Sequence, residues 1–278
     1  MSDSENIENI SYPPLLEWSG ASAALAIATF YWINSLGGLS LGWDTLNHHL
    51  YLGWMAIEGS RLQQDVFAAG SMSCQYPFAY GPLYFLQSHG ASGQQAAIAL
   101  AIPSIATAPA VWLITWSLIP QRNIHASLAR ISSTALAYLS PLWWSLLDST
   151  SNDILSSLPI IWAFSLVIWK YSCESQNYYN HKNFNSLAWT FIAGVLATTS
   201  IVLKMSNIFA GLGLLVLSLV SAKTIYTALA RLLALALGGL LVTFFLWWPW
   251  AQQIWRDCGS PFYPMFTDSL RPLSIYLP

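Results

Sequence analysis

The amino-acid sequence predicts an all-α protein, a polytopic bundle of about seven transmembrane helices. Two observations predict this class. Only 8% of the 278 residues are charged, whereas a soluble domain carries about a quarter. Hydrophobic residues make up 55% of the chain, with 15 Trp, and they occur in long uninterrupted runs. Such a composition cannot cover a water-exposed surface, so the chain is predicted to be an integral membrane protein.

The predicted spans follow from the length of the apolar runs, because a helix needs about 20 apolar residues to cross the hydrocarbon core. In chain order the runs are residues 18–36, 94–119, 126–147, 154–171, 187–203, 206–222 and 228–250. Prolines inside these runs predict kinks, and they are Pro103, Pro109, Pro141 and Pro159. No sign of a second domain is present, and residues 1–278 are interpreted as one membrane domain.

The distribution of basic residues predicts the orientation, because cytoplasmic connections carry an excess of Lys and Arg. The connections 120–130, 170–186 and 223–231 contain Arg122, Arg130, Lys170, Lys182, Lys223 and Arg231. The other side contains Arg61, Lys204, Arg256 and Arg271. The N-terminal residues 1–17 are therefore expected in the cytoplasm. Segments 37–93 and 251–278 are expected outside, across the plasma membrane.

The segment after the first span predicts a helix at the outer interface, over about residues 44–64. Its apolar positions recur at helical spacing, at Leu46, Leu50, Trp54, Ile57 and Leu62. Asp44 lies one turn before His48, which gives a polar stripe on the opposite side. A carboxylate here can act as a general base, whereas the structural alternative is an N-cap of this helix.

A second group of polar residues follows the third span. Asp148, Asn152 and Asp153 lie within six positions, in a turn expected on the same outer side as Asp44. Their oxygen atoms could hold a divalent metal such as Mg²⁺ or Mn²⁺, through Asp148 and Asp153, or bind sugar hydroxyls. The structural alternative is that Asn152 or Asp153 caps the next helix.

Two basic residues on the outer side are candidates for binding a phosphate group. Lys204 ends one apolar run and precedes another, and Arg256 begins a loop punctuated by Gly and Pro. Snorkelling to the interface is the structural alternative for both. The formal net charge of −2 and the lack of a basic cluster argue against nucleic acid as a partner. No phosphate-binding or dinucleotide motif suggests a nucleotide cofactor.

The cysteines match no metal-binding spacing. The predicted orientation puts Cys74 and Cys258 on the outer, oxidising side and Cys173 in the cytoplasm. A bridge between Cys74 and Cys258 would join the first outer segment to the C-terminal loop, and independent thiols are the alternative.

These residues together resemble the GT-C superfamily, which are polytopic glycosyltransferases with a polyprenyl-phosphate-linked sugar donor. The resemblance covers nearly the whole chain. It lies in residues 42–50 (GWDTLNHHL) after the first span, in the turn from Asp148 to Asp153, and in the loop 259–266 (GSPFYPMF). That loop is similar to a Gly-Asn-Pro-x-(Phe/Tyr)-Pro-x-Phe element of bacterial members, with Ser260 in place of Asn.

The resemblance implies glycosyl transfer at the outer face of the bacterial inner membrane, as part of cell-envelope chemistry. Asp44 would be the catalytic base, while His48, Asp148, Asn152, Asp153, Lys204 and Arg256 would contact the substrates. The alternative is a non-enzymatic membrane protein: a carrier of lipid-linked glycans, an assembly subunit, or an inactive fragment of a glycosyltransferase. Family members continue with further spans, so we also expect weak transfer by this chain alone, or a requirement for a membrane-protein partner.

Overall fold

The computed structural model describes residues 15–59, 70–175 and 184–263, and within these ranges every regular element is a helix. In chain order the α-helices are α1 (Leu15–Leu36), α2 (Leu50–Glu58), α3 (Gly81–Ser88), α4 (Gly93–Ile105), α5 (Ala108–Leu118), α6 (Ile124–Ala137), α7 (Pro141–Ser145), α8 (Asp153–Ser175), α9 (Phe184–Leu203), α10 (Ile208–Val220), α11 (Ile225–Val242) and α12 (Trp248–Cys258). π-helical turns precede α2 (Thr45–His49) and α12 (Thr243–Trp247). The short 3-10 turns are Gly70–Cys74, Pro77–Tyr80 and Met205–Asn207.

Four helical segments among the described residues are long and apolar enough to cross a membrane. They are Gly93–Leu118, Asp153–Ser172, Ser186–Leu203 and Ile225–Cys258. The first three coincide with predicted spans. The fourth contains the predicted span 228–250 and continues as a helix to Cys258, so the first residues of the expected outer loop 251–278 are helical. The remaining predicted spans are helical but outside this set. α10 belongs to a shorter apolar helix, and the stretch 126–147 divides into α6 and α7. The structure therefore supports an integral membrane protein with four candidate spans.

The four prolines that were predicted to kink their helices act in two different ways. Pro103 and Pro159 lie inside α4 and α8, as expected for kinking positions. Pro109 and Pro141 instead stand in the first turns of α5 and α7. At that position the missing N–H costs no helical hydrogen bond, so these two prolines begin helices and do not kink them.

Helices α8, α9 and α11 pack closely in the second half of the chain. Their common core contains the buried Ala163, Val167 and Ala193. Between α9 and α11, a Cβ atom at Gly194 would collide with the backbone of Leu235. Small residues permit this close approach in membranes, where helix association depends on van der Waals contact.

The two ends of the bundle can be told apart by their polar contacts. At one end, here called the Arg130 end, the Arg130 guanidinium is fully buried and binds both carboxylate oxygens of Glu17 at 2.6 and 2.7 Å. Arg130 also donates to the carbonyls of Ile119 and Gln121, which follow α5. These unpaired carbonyls carry the negative end of the helix dipole, so Arg130 stabilises the end of α5.

Arg231 has a similar role at the same end. It is 2% exposed and donates to the carbonyl of Ser218 and the hydroxyl of Ser221, at the end of α10. Its guanidinium lies 3.6 Å from the ring centre of Tyr171. The sequence analysis counted Arg130 and Arg231 as charges of cytoplasmic connections. In the structure both lie inside helices and hold helix ends together.

At the opposite end, here called the Asp44 end, the chain returns repeatedly to one region. The amide of Leu39 donates to Gly93 at 3.0 Å, and that of Ser40 donates to Asp148 at 2.8 Å. These bonds join the residues after α1 to the start of α4 and to the turn before α8. The predicted outer segments 37–93 and 148–153 therefore meet at one end of the bundle.

The helix predicted over residues 44–64 corresponds to the π-helical turn and α2 together. It ends at Glu58, because Gly59 adopts a left-handed conformation with φ 66°. The expected continuation to residue 64 lies outside the described residues, and a position at the membrane interface stays a prediction. In the structure Gly53 of α2 contacts Tyr80 and Tyr84 so closely that a Cβ atom would collide with both. α2 is thereby packed tightly against the 3-10 turn Pro77–Tyr80 and α3.

Candidate functional site

The π-helical turn Thr45–His49 sets the direction of the side chains at the Asp44 end. A π-turn contains one extra residue per turn and is frequent at functional sites. Here it buries Thr45, His48 and His49, whereas Leu46 and Asp44 remain exposed. The local geometry thus presents one carboxylate to the surface beside a set of buried polar groups.

Asp44 does not act as the N-cap that the sequence analysis considered. Its backbone is already helical, with φ −63° and ψ −36°, and its side chain makes no capping hydrogen bond to this helix. An N-cap residue normally has extended backbone angles, which allow its side chain to reach back to the first amides. The alternative that Asp44 is the N-cap of this helix is therefore wrong, and its carboxylate is available for another role.

The nearest titratable group to Asp44 is His48. Nδ1 of His48 lies 3.9 Å from Oδ1 of Asp44, beyond hydrogen-bond distance. The His48 side chain is only 7% exposed, while that of Asp44 is 63% exposed. Burial lowers the pKa of His48, and the negative charge of Asp44 partly opposes this shift. The pair consists of an exposed carboxylate with a buried imidazole directly behind it.

A buried hydrogen-bond chain connects this turn to the turn before α8. Nδ1 of His49 lies 2.7 Å from the hydroxyl of Thr150, which lies 2.7 Å from the hydroxyl of Thr45. These three residues are between 3% and 6% exposed. We call them the Thr45–His49–Thr150 relay. It fixes the first outer segment to the second, over more than a hundred residues of sequence.

The electrostatics of the relay favour an uncharged imidazole. The pKa of His49 falls from 6.5 to about 4, mainly because the ring is buried. The neighbouring His48 lowers it further, and Asp44 opposes the shift. At neutral pH His49 is thus a neutral ring with one donor and one acceptor nitrogen, which suits a structural hydrogen bond to a hydroxyl.

Tyr80 covers the other side of His49. Their ring centres are 4.5 Å apart at an interplanar angle of 20°, a stacked arrangement. Burial raises the pKa of the Tyr80 phenol, and the charges of Asp153 and Asp44 raise it further. Tyr80 therefore stays a neutral phenol stacked on the neutral ring of His49.

Asp153 and Lys204 form an ion pair on the α8 side of the relay. Lys204 follows α9 directly, and Asp153 is the first residue of α8. The second carboxylate oxygen of Asp153 accepts the Ser151 hydroxyl at 2.7 Å. The side chains of the pair are 39% and 32% exposed, respectively, so the lysine remains accessible from the surface.

Asn152 has a structural role. Its amide donates to the carbonyl of Leu203 at 2.8 Å, and its side chain is buried. This bond holds the end of α9 against the turn before α8, which positions Lys204 beside Asp153. The sequence analysis expected Asn152 to contact substrate. In the structure its amide is engaged in fixing the geometry of the ion pair.

Two other predicted residues, Asp148 and Arg256, are not part of the relay. Asp148 contributes its backbone carbonyl to Ser40. Arg256 is exposed in the last turn of α12. In the described ranges no group of three or more His, Cys, Asp or Glu side chains could hold a metal ion. Asp153 is moreover engaged through both of its oxygens. A metal between Asp148 and Asp153 stays a prediction that these contacts do not favour.

The structure adds four residues to the site that the sequence analysis did not select: Thr45, His49, Tyr80 and Thr150. His49 stands beside His48 in the run 42–50, so that run was the available signal. Thr150 and Tyr80 gave no such signal in the sequence, because Thr and Tyr are both common in loops. Their role depends on contacts between distant parts of the chain.

Comparison with known proteins gives no relative from which a function could be transferred. No family model, curated protein or solved structure matches this chain. The assignment of a function therefore depends on the residues of the Asp44 end alone.

Proposed function

We propose that the Asp44 end transfers a sugar from a polyprenyl-phosphate donor to an acceptor hydroxyl at the membrane surface. The observation that carries the proposal is that two accessible charged groups, Asp44 and Lys204, both lie close enough to the buried relay for their charges to act on His49. A transfer of this kind needs a base for the acceptor and a cation for the phosphate that leaves.

On the acceptor side, Asp44 would take the proton of the attacking hydroxyl. Oδ1 of Asp44 and Nδ1 of His48 are 3.9 Å apart. Nδ1 is buried, so an acceptor hydroxyl bound to Asp44 would reach it only after a small rotation of the imidazole. His48 would orient this hydroxyl, and Asp44 would accept its proton as the oxygen bonds to the anomeric carbon.

On the donor side, Lys204 would stabilise the departing phosphate. The bond between the anomeric carbon and the phosphate oxygen breaks, and its electron pair remains on that oxygen. An ammonium group stabilises this charge more strongly as it develops, which accelerates the step. Asp153 would hold Lys204 in place between turnovers. Because Asp153 already pairs with Lys204, the proposal assigns no step to a metal.

The bundle itself would supply the environment for the lipid chain. The described residues contain four candidate spans, and α1, α10 and α11 carry large exposed apolar side chains such as Phe30, Phe209 and Leu233. We place the Asp44 end outside and residues 1–17 in the cytoplasm, with about seven spans, on the charge distribution of the sequence. Reporter fusions at Gly70 and Arg122 test this orientation: Gly70 should report the outside and Arg122 the cytoplasm.

The test of the function uses the full chain in proteoliposomes. Labelled polyprenyl-phosphate sugars of several kinds are supplied with membrane-extracted acceptors, and both labelled product and released polyprenyl phosphate are measured. The matched control for Asp44→Asn is Glu58→Gln, since Glu58 is an exposed carboxylate of α2 that accepts from Tyr84. Transfer lost only in Asp44→Asn supports the proposal. If both variants bound the donor equally well and neither transferred the sugar, the result would favour the lipid-carrier alternative.

A further inference from the structure

A pair of cysteines lies beside the candidate site, in the core that supports it. Cys74 ends the 3-10 turn Gly70–Cys74, and Cys258 is the last residue of α12. They are 184 residues apart in sequence, yet their sulfur atoms are 2.9 Å apart. A disulfide requires about 2.05 Å between the sulfurs, so closing the bond demands a displacement of less than about 1 Å.

The surroundings hold both residues in position. Cys74 is 7% exposed and lies in a cluster with the buried Leu52, Tyr80 and Ile254. Cys258 packs against the same cluster and is followed by Gly259, which ends α12 with φ 79°. Both cysteines therefore pack against one core, and this shared core brings the two sulfurs together.

The thiol pair is also suited to oxidation. The hydrogen bond between the two sulfurs lowers the pKa of Cys74, and a lower pKa increases the fraction of the thiolate, which is the reactive form. Cys258 is only partly buried, so an oxidant can reach the pair from that side.

We propose that Cys74 and Cys258 form an intrachain disulfide in the protein as it exists in the membrane. Each cysteine loses its proton and the pair loses two electrons. The disulfide of a thiol oxidoreductase or of oxidised glutathione accepts them and becomes two thiols. The proposal needs the Asp44 end to face an oxidising compartment, but it does not depend on glycosyl transfer.

The bridge would fix the part of the site formed by Tyr80. Cys74 is followed by Gln75, whose side chain accepts a hydrogen bond from the Tyr80 hydroxyl at 3.4 Å. Tyr80 in turn stacks on His49 of the relay. A covalent bond from Cys74 to α12 would therefore restrict the motion of the ring that covers His49.

The experiment counts free thiols before and after reduction. Membranes are solubilised and denatured in the presence of a maleimide, and the intact mass of the full chain is measured. The chain has three cysteines, so a disulfide predicts one label without reductant and three labels after reduction. Proteolysis of the unreduced sample should give a crosslinked peptide pair that contains Cys74 and Cys258.

Matched variants identify the partners. Cys173→Ser should abolish labelling without reductant and leave two labels after reduction. Cys258→Ser should give two labels in both conditions. Three labels on the wild-type chain without reductant would overturn the proposal. If all three thiols also stayed free after treatment with oxidised glutathione, the result would contradict the close approach of the two sulfur atoms as well.

Discussion

Replacing Lys204 by methionine separates a role in function from a role in stability. The substitution removes the ammonium group and retains a flexible apolar side chain of similar length. In the structure Lys204 and Asp153 are about one third exposed, and pairs with this access to water contribute about 0–1 kcal/mol. Asp153 keeps its hydrogen bond from Ser151. The melting temperature should therefore fall by no more than about 4 °C.

The expected loss of activity is much larger than this loss of stability. Removal of one group that stabilises developing charge typically lowers kcat about 10²–10³-fold, equivalent to about 3–4 kcal/mol. Lys204→Met should lose transfer by this factor, with a much smaller effect on the KM for the donor, because the interaction is strongest with the departing phosphate. Lys204→Arg should recover part of the rate, since it keeps the positive charge.

The assay measures initial rates of transfer in proteoliposomes, and thermal unfolding of the same preparations. Lys170→Met provides the matched control, because Lys170 lies near the rings of Trp169 and Trp189, far along α8 from Asp153. It should keep the wild-type rate. A Lys204→Met rate within a factor of three of wild type, with normal folding, would refute the role assigned to the ammonium group.

Three other substitutions test separate parts of the structure. Asp44→Asn should reduce transfer at least about 100-fold without a change in thermal stability, because the Asp44 side chain makes no capping bond; a matching loss of stability would contradict this. Thermal stability should fall as the pH decreases from about 6.5 towards about 4, because His49 binds a proton more readily in the unfolded chain than in the fold. A His49→Gln variant should show a shallower decline, and an unchanged pH profile would count against the buried neutral ring. Gly238→Ala should destabilise the fold by about 1–3 kcal/mol, because the added Cβ would meet the carbonyl of Phe191. Gly20→Ala is the control: it has open space around it inside α1, so it should leave the stability unchanged or raise it, since alanine favours a helix.

The sequence analysis selected Asp44, Asp153 and Lys204 because charges are rare in an apolar chain. In the structure Asp153 pairs with Lys204, and the charges of all three residues act on His49. The relay itself could not be predicted. His49 and Thr150 are 101 residues apart, and neither hydrophobic periodicity nor residue spacing determines a contact over that distance.

The fold was predictable to a similar extent, and the reason is the length of the apolar runs. The longest apolar runs predicted the four helical segments that are long and apolar enough to cross a membrane. The run 126–147 was divided in the structure, because Pro141 begins a new helix there. The burial of Arg130 was also missed, since sequence patterns register a charge near a helix end but do not show whether a carboxylate such as Glu17 meets it.

The close packing of α9 against α11 has a mechanical consequence for the Asp44 end. Gly194 and Gly238 bring the two backbones into contact, so neither helix can slide past the other without a collision. Lys204 follows α9 directly. α11 is the first part of the helical segment Ile225–Cys258, which ends with α12. The two helices are therefore held in a fixed relation to each other. Because Ile254 of α12 shares a buried cluster with Tyr80, the packing of α9 on α11 also sets the position of Lys204 relative to the core around the Tyr80 ring.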